Sequence, residues 1–243
     1  MVRGALTSLV FALVIGWTGT SRAAELVVIA SEDPALRVGA VIDGGEPITV
    51  AARASVVLVS ADGRTIRLTG PYEGAPDASP SGTDSRLVDS LSRLITEEGG
   101  SPETLAVFRG GSGTTPIGLA EIWGVDIARP GKYCLRSDRP AMLWWSAARS
   151  GAVVKLSVDG DGAGGSRIRW PASKKYTDWP EALTLSDGAT YVARFRADDP
   201  GTAFETVLMP ALDTDAHRAA WMAENGCAEQ ALAVLDAMGE GDL

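Results

Sequence analysis

The sequence has little histidine, cysteine and lysine: its 243 residues include one histidine, two cysteines and four lysines. The single histidine, His217, excludes metal sites and catalytic pairs that need two imidazoles. Positive charge is also scarce, with 22 basic and 31 acidic residues and a formal net charge of −9. Because an acidic surface repels phosphate groups, nucleic acid and anionic membranes are not expected as partners.

Long apolar runs are missing beyond the amino-terminal region. There, Arg3 precedes the apolar run Leu9–Trp17, which is shorter than the ~20 residues that a membrane helix needs. Ser21 and Ala23 then provide the small side chains that signal peptidase requires. We predict that residues 1–23 form a secretory signal peptide cleaved after Ala23, the alternative being an uncleaved amino-terminal anchor. No stable membrane insertion is expected after cleavage.

The cellular compartment is indicated by residue usage together with this leader. Arginine outnumbers lysine while alanine and glycine are abundant, which is typical of GC-rich bacterial genomes and favours the periplasm. In that oxidising compartment, the even cysteine count favours a disulfide bond between Cys134 and Cys227 over two buried free thiols. Closing a loop of about 90 residues would stabilise the fold by ~4–5 kcal/mol in the chain-entropy model.

The first half of the mature chain shows short apolar runs broken by turn residues, which is the pattern of β structure. Its strongest signal is a hairpin in which Ser55–Ser60 and Arg64–Thr69 flank Asp62-Gly63, a pair typical of a type I′ turn. Residues 71–83 predict an exposed loop, and the single apolar stripe of Thr83–Glu98 predicts an amphipathic helix that Thr83 or Asp84 caps. The other predicted strands are Leu26–Ile29, Leu36–Ile42 and Ile48–Val50, and the stripe consists of Leu87, Val88, Leu91, Leu94 and Ile95.

The second half restarts with strands and ends in two helices. Asp213 or Thr214 is predicted to cap the first helix, Asn225-Gly226 to separate the two, and Cys227–Met238 to form the second. The predicted strands are Leu119–Ile127, Lys132–Arg136, Ala141–Ser146, Ala152–Val158, Arg167–Trp170, Ala189–Phe195 and Phe204–Met209.

These patterns predict a mainly β, β-sandwich-like fold with one amphipathic helix after the first β domain and two short carboxy-terminal helices. The predicted domains are the signal peptide 1–23, a first β domain with its trailing helix over 24–98, a linker over 99–115, and a β-rich domain with the carboxy-terminal helices over 116–243.

Residues 38–71, VGAVIDGGEPITVAARASVVLVSADGRTIRLTGP, run through two strands and a glycine-bearing turn into the Asp-Gly hairpin and end in Gly-Pro. This order of strands and turns resembles the FecR-like β domain found in periplasmic parts of bacterial signal-transduction systems. The second half is similar to alphaproteobacterial exported proteins that join such a domain to a second module. The resemblance implies a β module used for protein contacts. The matching stretches of the second half are Trp123–Asp126, Gly131–Cys134, Asp187–Tyr191 and Gly226–Ala231.

The motifs that come nearest to a catalytic or cofactor site are incomplete. Gly160–Gly165 has the spacing of the dinucleotide fingerprint, but Ser166–Trp170 predicts a strand where that fingerprint needs a helix. From Asp159 the sequence begins like a calcium loop, yet Ala163 and Trp170 occupy its fifth and twelfth positions. We therefore predict no cofactor, no metal and no enzymatic activity.

Tryptophan is the residue type with the greatest capacity for binding, because its large rigid ring provides contact area at a low cost in entropy. Trp144, Trp145, Trp170 and Trp179 are predicted as a candidate partner surface, with core packing or sugar binding as the alternatives. Since Trp144 and Trp145 are adjacent, a strand must place them on opposite faces.

Taken together, these features predict a non-enzymatic periplasmic module that binds another envelope protein, as an accessory of envelope signal transduction. One alternative is a protein that binds envelope polysaccharide or peptidoglycan through a groove bearing tryptophan. A further alternative is a hydrolase of unrecognised type.

Overall fold

The computed structural model describes residues 24–76, 85–98, 122–145, 148, 151–159, 164–172, 174–196 and 198–242. Strands predominate within these residues, and the predicted mainly β fold with one helix in mid-chain and two near the carboxy terminus is confirmed. The predicted signal peptide 1–23 and linker 99–115 lie outside the described residues. In the described part of the chain, every helix is too short or too polar to span a bilayer.

The first β module consists of a four-stranded and a two-stranded antiparallel sheet. Its strands are β1 (Glu25–Ser31), β2 (Val41–Asp43), β3 (Ile48–Val50), β4 (Ser55–Ser60), β5 (Thr65–Thr69) and β6 (Tyr72–Gly74). The larger sheet has the order β2-β1-β4-β5, and β3 pairs with β6. Leu26, Leu58 and Val50 belong to the apolar core of this module. Both faces of β4 are covered, which explains why its residues 56–59 are all apolar and buried.

Two local predictions for this module are corrected by the structure. The predicted strand Leu36–Ile42 is reduced to β2, because the residues before it form turns closed by bonds from Leu36 N–H to Asp33 O and from Ala40 N–H to Arg37 O. Strand β6 lies within the segment 71–83 that was predicted as a loop. Its three residues are extended because they pair with the distant strand β3, which local composition does not reveal.

The hairpin between β4 and β5 is confirmed, but the predicted type I′ turn is wrong. Only Gly63 has a left-handed φ, of 79°, whereas a type I′ turn needs positive φ at both central residues. Gly63 N–H donates to Ser60 O at 2.8 Å, and Ser60 N–H donates to Arg64 O at 3.0 Å. The loop therefore contains three residues and ends in a glycine bulge, the next most common hairpin connection.

Within the described residues, amphipathic sequence forms three helices and a π-helical turn. Helix α1 (Arg86–Arg93) continues into a π-helical turn (Leu94–Glu98), and the predicted stripe from Leu87 to Ile95 is buried throughout. Its start differs slightly from the prediction, since Ser85 is the N-cap while Thr83 and Asp84 lie outside the described residues. Helix α2 (Asp215–Glu224) has the predicted cap Thr214, and helix α3 (Ala228–Glu240) follows the predicted break.

The second β module is a sandwich of a five-stranded and a three-stranded sheet. Its strands are β7 (Gly124–Asp126), β8 (Gly131–Arg136), β9 (Met142–Trp144), β10 (Val153–Val158), β11 (Ser166–Arg169), β12 (Tyr176–Asp178), β13 (Ala189–Arg194) and β14 (Thr202–Met209). The sheets have the orders β11-β10-β13-β14-β8 and β12-β9-β7. The inward residues Leu143, Leu156 and Phe204 belong to the core between them. Strand β12 was not predicted.

The three helices form a layer that contacts both β modules. One apolar cluster contains Val27 and Val57 of the first sheet, Leu91 of α1 and Val234 of α3, and it extends to Met209 of β14. The tip of the first hairpin lies directly against α2. A Cβ atom added to Gly63 would lie only 2.7 Å from Nδ1 of His217, which leaves no room for a side chain there. The predicted boundary between 24–98 and 116–243 stays a prediction, but the carboxy-terminal helices pack on the first sheet as well as on the second.

Helix α3 is attached to a different sheet at each end. At its start, Cys227 forms a disulfide bond with Cys134 of β8, so the predicted pair is joined, with Cα atoms 6.0 Å apart. At its end, the guanidinium of Arg67 on β5 donates to the carbonyls of Gly239 at 2.9 Å and Met238 at 3.2 Å. These carbonyls belong to the last turn of a helix, where a cation is favourable.

A pH-dependent contribution to stability arises just after β8. Arg136 donates from Nε and Nη2 to the carboxylate of Asp138 at 2.9 and 2.6 Å, and its guanidinium lies 5.4 Å from the centre of the Trp123 ring. The hydrogen bonds from Arg136 lower the pKa of Asp138 to about 2. Since the folded pKa is below the unfolded one, this interaction stabilises the fold above about pH 4 and is lost as the pH falls towards 2.

We expect Asp138→Asn to lower the free energy of unfolding near neutral pH and to have a much smaller effect near pH 2, because the wild-type carboxylate is then protonated in part of the folded molecules and in nearly all of the unfolded ones. Urea denaturation of both proteins at several pH values measures this difference. Glu46→Gln, on an exposed turn of the first module, serves as the control. A difference between wild type and Asp138→Asn that is the same at neutral pH and near pH 2 would contradict the assignment.

Candidate functional site

Three of the four tryptophans predicted as a partner surface pack in the core of the second module. Trp170 is 1% exposed, so it offers no surface to a partner, and its Nε1 donates to Lys174 O at 2.9 Å. Trp145 lies with its ring edge-on to Trp170, the ring centres being 5.4 Å apart. Trp179 donates from Nε1 to Leu183 O at 2.7 Å and meets the ring of Tyr191. These edge-to-face contacts are typical of a core.

Trp144 faces away from that core, as its position next to Trp145 requires. It lies on β9 opposite Tyr176 of β12, whose side chain is 45% exposed. The Trp144 Nε1 atom is buried and has no hydrogen-bond partner in the described part of the chain. Because that nitrogen is covered, an added ligand cannot bond to it directly. Trp144 is thus the one member of the predicted set that an outer sheet face displays.

A different surface carries the strongest chemical signal of the second module. On the five-stranded sheet, Lys155 of β10 pairs directly with Arg167 of β11 on one side and with Arg194 of β13 on the other. Residues that are paired across neighbouring strands point to the same face, so these three cations form a row across three strands, spaced by about 4.8 Å per strand. Arg169 lies two residues beyond Arg167 and shares its face. We call these four residues the basic face.

The side chains of the basic face have few protein partners. Arg194 donates from Nη1 to the buried Ser157 Oγ at 3.2 Å, which holds its guanidinium along the sheet. Among the described residues, none of the four cations forms an ion pair. The carboxylate of Asp199, in the turn after β13, does not pair with any of these cations and accepts a hydrogen bond from Gly201 N–H at 2.9 Å. Like charges that face each other across strands are destabilising, so this arrangement has an energetic cost.

The helical layer leaves the basic face uncovered because it covers only the opposite end of the same sheet. The outward residues of β8 and β14, such as Cys134, Val207 and Met209, belong to the apolar cluster beneath the helices. At the β11 end, Arg167 and Arg169 are exposed, and Val153, which lies opposite Arg169 on β10, is 45% exposed. One sheet face is therefore apolar and covered by the helices at one end, and cationic at the other, where Arg167 and Arg169 are exposed while Lys155 and Arg194 are half-buried.

Sequence reasoning did not find the basic face. The alternation of Arg167, Ile168 and Arg169 was a local signal, because it predicts two cations on one side of a strand with an apolar residue on the other. Lys155 and Arg194 are isolated basic residues within apolar runs, and only the strand register places them beside Arg167. The cluster is opposite in sign to the net charge of −9, and a chain with this net charge is not expected to carry a cationic surface.

The remaining motifs are placed as follows. The residues after Gly160–Gly165 form strand β11, as expected, and residues 160–163 lie outside the described part of the chain. His217 is half-buried in the first turn of α2, where its Nδ1 lies 2.7 Å from Thr214 Oγ1. Within the described residues there is no group of three or more histidine, cysteine or carboxylate side chains that could hold a metal ion.

The described residues thus form two β modules joined by a helical layer, with a cationic sheet face on the second module. Comparison of the chain with protein-family models, with curated proteins and with solved structures finds no match.

Proposed function

We propose that this protein is a non-enzymatic, periplasmic protein-interaction module that binds another envelope protein, as an accessory of envelope signal transduction. In this proposal residues 1–23 direct export, and the first β module is FecR-like. The observation that carries it is the basic face, in which the exposed Arg167 and Arg169 and the half-buried Lys155 and Arg194 have no ion-pair partners among the described residues. Such a cluster complements a negatively charged surface on a partner, and electrostatic complementarity contributes to the specificity and rate of association.

The architecture supports a binding role for this face. The five-stranded sheet is held against the helical layer by the Cys134–Cys227 disulfide bond and the packing around Met209. A rigid sheet keeps the four cations in fixed positions, so little conformational entropy of the backbone is lost when a partner binds. A rigid element with several like charges on its surface suits recognition, because an anionic partner reduces the repulsion among the cations when it binds.

We expect Lys155→Glu to stabilise the fold and to weaken partner binding at the same time. The substitution replaces two repulsive cross-strand pairs, with Arg167 and Arg194, by two attractive pairs, and should raise the free energy of unfolding by about 0.5–1 kcal/mol. Capture of an envelope partner should fall at least about tenfold, because like charges placed together in an interface are unfavourable. Urea denaturation measures the first effect, and quantitative mass spectrometry of proteins captured from periplasmic fractions measures the second.

The matched control is Arg37→Glu, which changes the charge equally at an exposed turn of the first module. It should leave the captured proteins unchanged. The proposed function would be overturned if no protein is captured repeatedly, or if Lys155→Glu and Arg37→Glu captured the same proteins as the wild type. Because Lys155→Glu is expected to be more stable than the wild type, loss of capture cannot be attributed to unfolding.

A further inference from the structure

We infer that the partner binds by adding an acidic, extended segment as a sixth strand to the edge of the five-stranded sheet at β11. This inference rests on the proposed function and specifies the chemistry of the partner. Strand β11 is the outermost strand of its sheet, and in the described part of the chain it pairs with β10 alone. An unpaired edge is a template for another strand.

The main chain of β11 presents its open bonding groups at the two arginines. Trp170 N–H donates to Ala152 O at 2.7 Å, so Trp170 and Ala152 form a hydrogen-bonded pair in the ladder between β10 and β11. In an antiparallel ladder such pairs alternate, so Ile168 bonds to β10 while the N–H and C=O groups of Arg167 and Arg169 point to the open edge. An added strand would therefore bond to the main chain of Arg167 and Arg169.

The side chains at the same positions define what such a strand should contain. Residues of the added strand opposite Arg167 and Arg169 would project to the face that carries all four cations. Glutamate or aspartate at alternate positions would then lie beside both arginines, with Lys155 and Arg194 in the rows behind. Main-chain bonds and charge pairs thus select one pattern, an extended segment with acidic residues at every second position.

An acidic polypeptide fits this site better than a long anionic polysaccharide. A polysaccharide has no peptide groups and cannot satisfy the edge of β11. In addition, the whole chain has a net charge of −9, which repels a long polyanion once it extends beyond the basic face. A short segment stays close to the cations, and at physiological salt the charges elsewhere are screened over about 8 Å.

The inference is tested with synthetic peptides on the full exported chain. The first peptide has about eight residues, the length of an ordinary strand, with glutamate alternating with valine and threonine. The second has the same sequence with N-methylated peptide bonds, and the third has the same composition with consecutive glutamates. We expect the first to bind at least tenfold more tightly than the others, and to slow amide exchange at Arg167 and Arg169 in NMR spectra.

A pair of variants isolates the main-chain contribution. Arg169→Ala removes the side chain with its charge but keeps the main-chain N–H, whereas Arg169→Pro also removes this outward N–H group, which β10 does not use. Arg169→Pro should bind the alternating peptide more weakly than Arg169→Ala, with both proteins folded as judged by urea denaturation. If the N-methylated peptide binds as tightly as the first peptide, strand addition is wrong. Dextran sulfate serves as the polyanion control. Strand addition is also wrong if dextran sulfate binds more tightly than the first peptide and this binding is lost in Lys155→Glu. If the peptides fail but protein capture still depends on Lys155, the inference is wrong and the proposed function stands.

Discussion

Replacing both cysteines, as Cys134→Ala with Cys227→Ala, is expected to lower the free energy of unfolding by about 4–5 kcal/mol. The two residues are separated by 93 positions, so the bond restricts a long loop in the unfolded chain. It also joins the start of α3 to β8, and both cysteines are buried in the apolar cluster of the helical layer. Loss of this bond removes a constraint that spans most of the second module.

The measurement is urea denaturation of the wild type and the double variant, each with and without a reductant. The wild type should lose about as much stability on reduction as it loses by substitution, and the double variant should not respond to the reductant at all. A loss below about 1 kcal/mol in both comparisons would contradict the prediction, since it would fall far short of the value for a loop of this length.

Replacing Gln230 with methionine is expected to cost about 2–4 kcal/mol, the second largest effect. Gln230 is 8% exposed on α3, and its side-chain oxygen accepts a hydrogen bond from Cys134 N–H at 2.8 Å. Its amide nitrogen donates to the carbonyls of Ile122 at 2.6 Å and Cys134 at 3.2 Å. The amide thus bonds to the edge of β8 as a neighbouring strand would. Methionine has a similar volume but leaves these buried backbone groups unpaired.

The neighbouring residue provides a matched control. Glu229 lies on the exposed side of α3 and forms a solvent-exposed ion pair with Arg129 at 3.6 Å. Glu229→Ala should therefore change the free energy of unfolding by less than about 0.5 kcal/mol. Urea denaturation with the disulfide bond intact compares the two variants. Equal stability of Gln230→Met and the wild type would show that the amide does not attach α3 to β8.

Local patterns in the sequence were sufficient for elements whose stability depends on near neighbours. The stripe of α1, the hairpin at Asp62-Gly63 and the break at Asn225-Gly226 were all located from spacing and turn chemistry. The turn type was wrong because Asp-Gly is compatible with two loop lengths, and the hydrogen bond from Gly63 to Ser60 selects the longer one.

Predictions that needed a distant partner were less successful. Strands β6 and β12 are three residues long, and each is extended because of a partner far along the chain, β3 or β9. The tryptophans were recognised as important, but the sequence could not show that Trp145, Trp170 and Trp179 face the core of the second module. A strand pattern indicates two faces, and it does not say which of them another sheet covers.

The basic face shows the same difference between what local sequence determines and what packing between distant segments determines. Alternation along β11 was enough to place Arg167 and Arg169 on one side of a strand, since side chains in a strand have a period of two. The row formed with Lys155 and Arg194 depends on strand register, and its exposure depends on how far the helical layer extends over the sheet. Register and coverage are set by packing between segments that are far apart along the chain, and this is why the candidate site emerged only from the folded molecule.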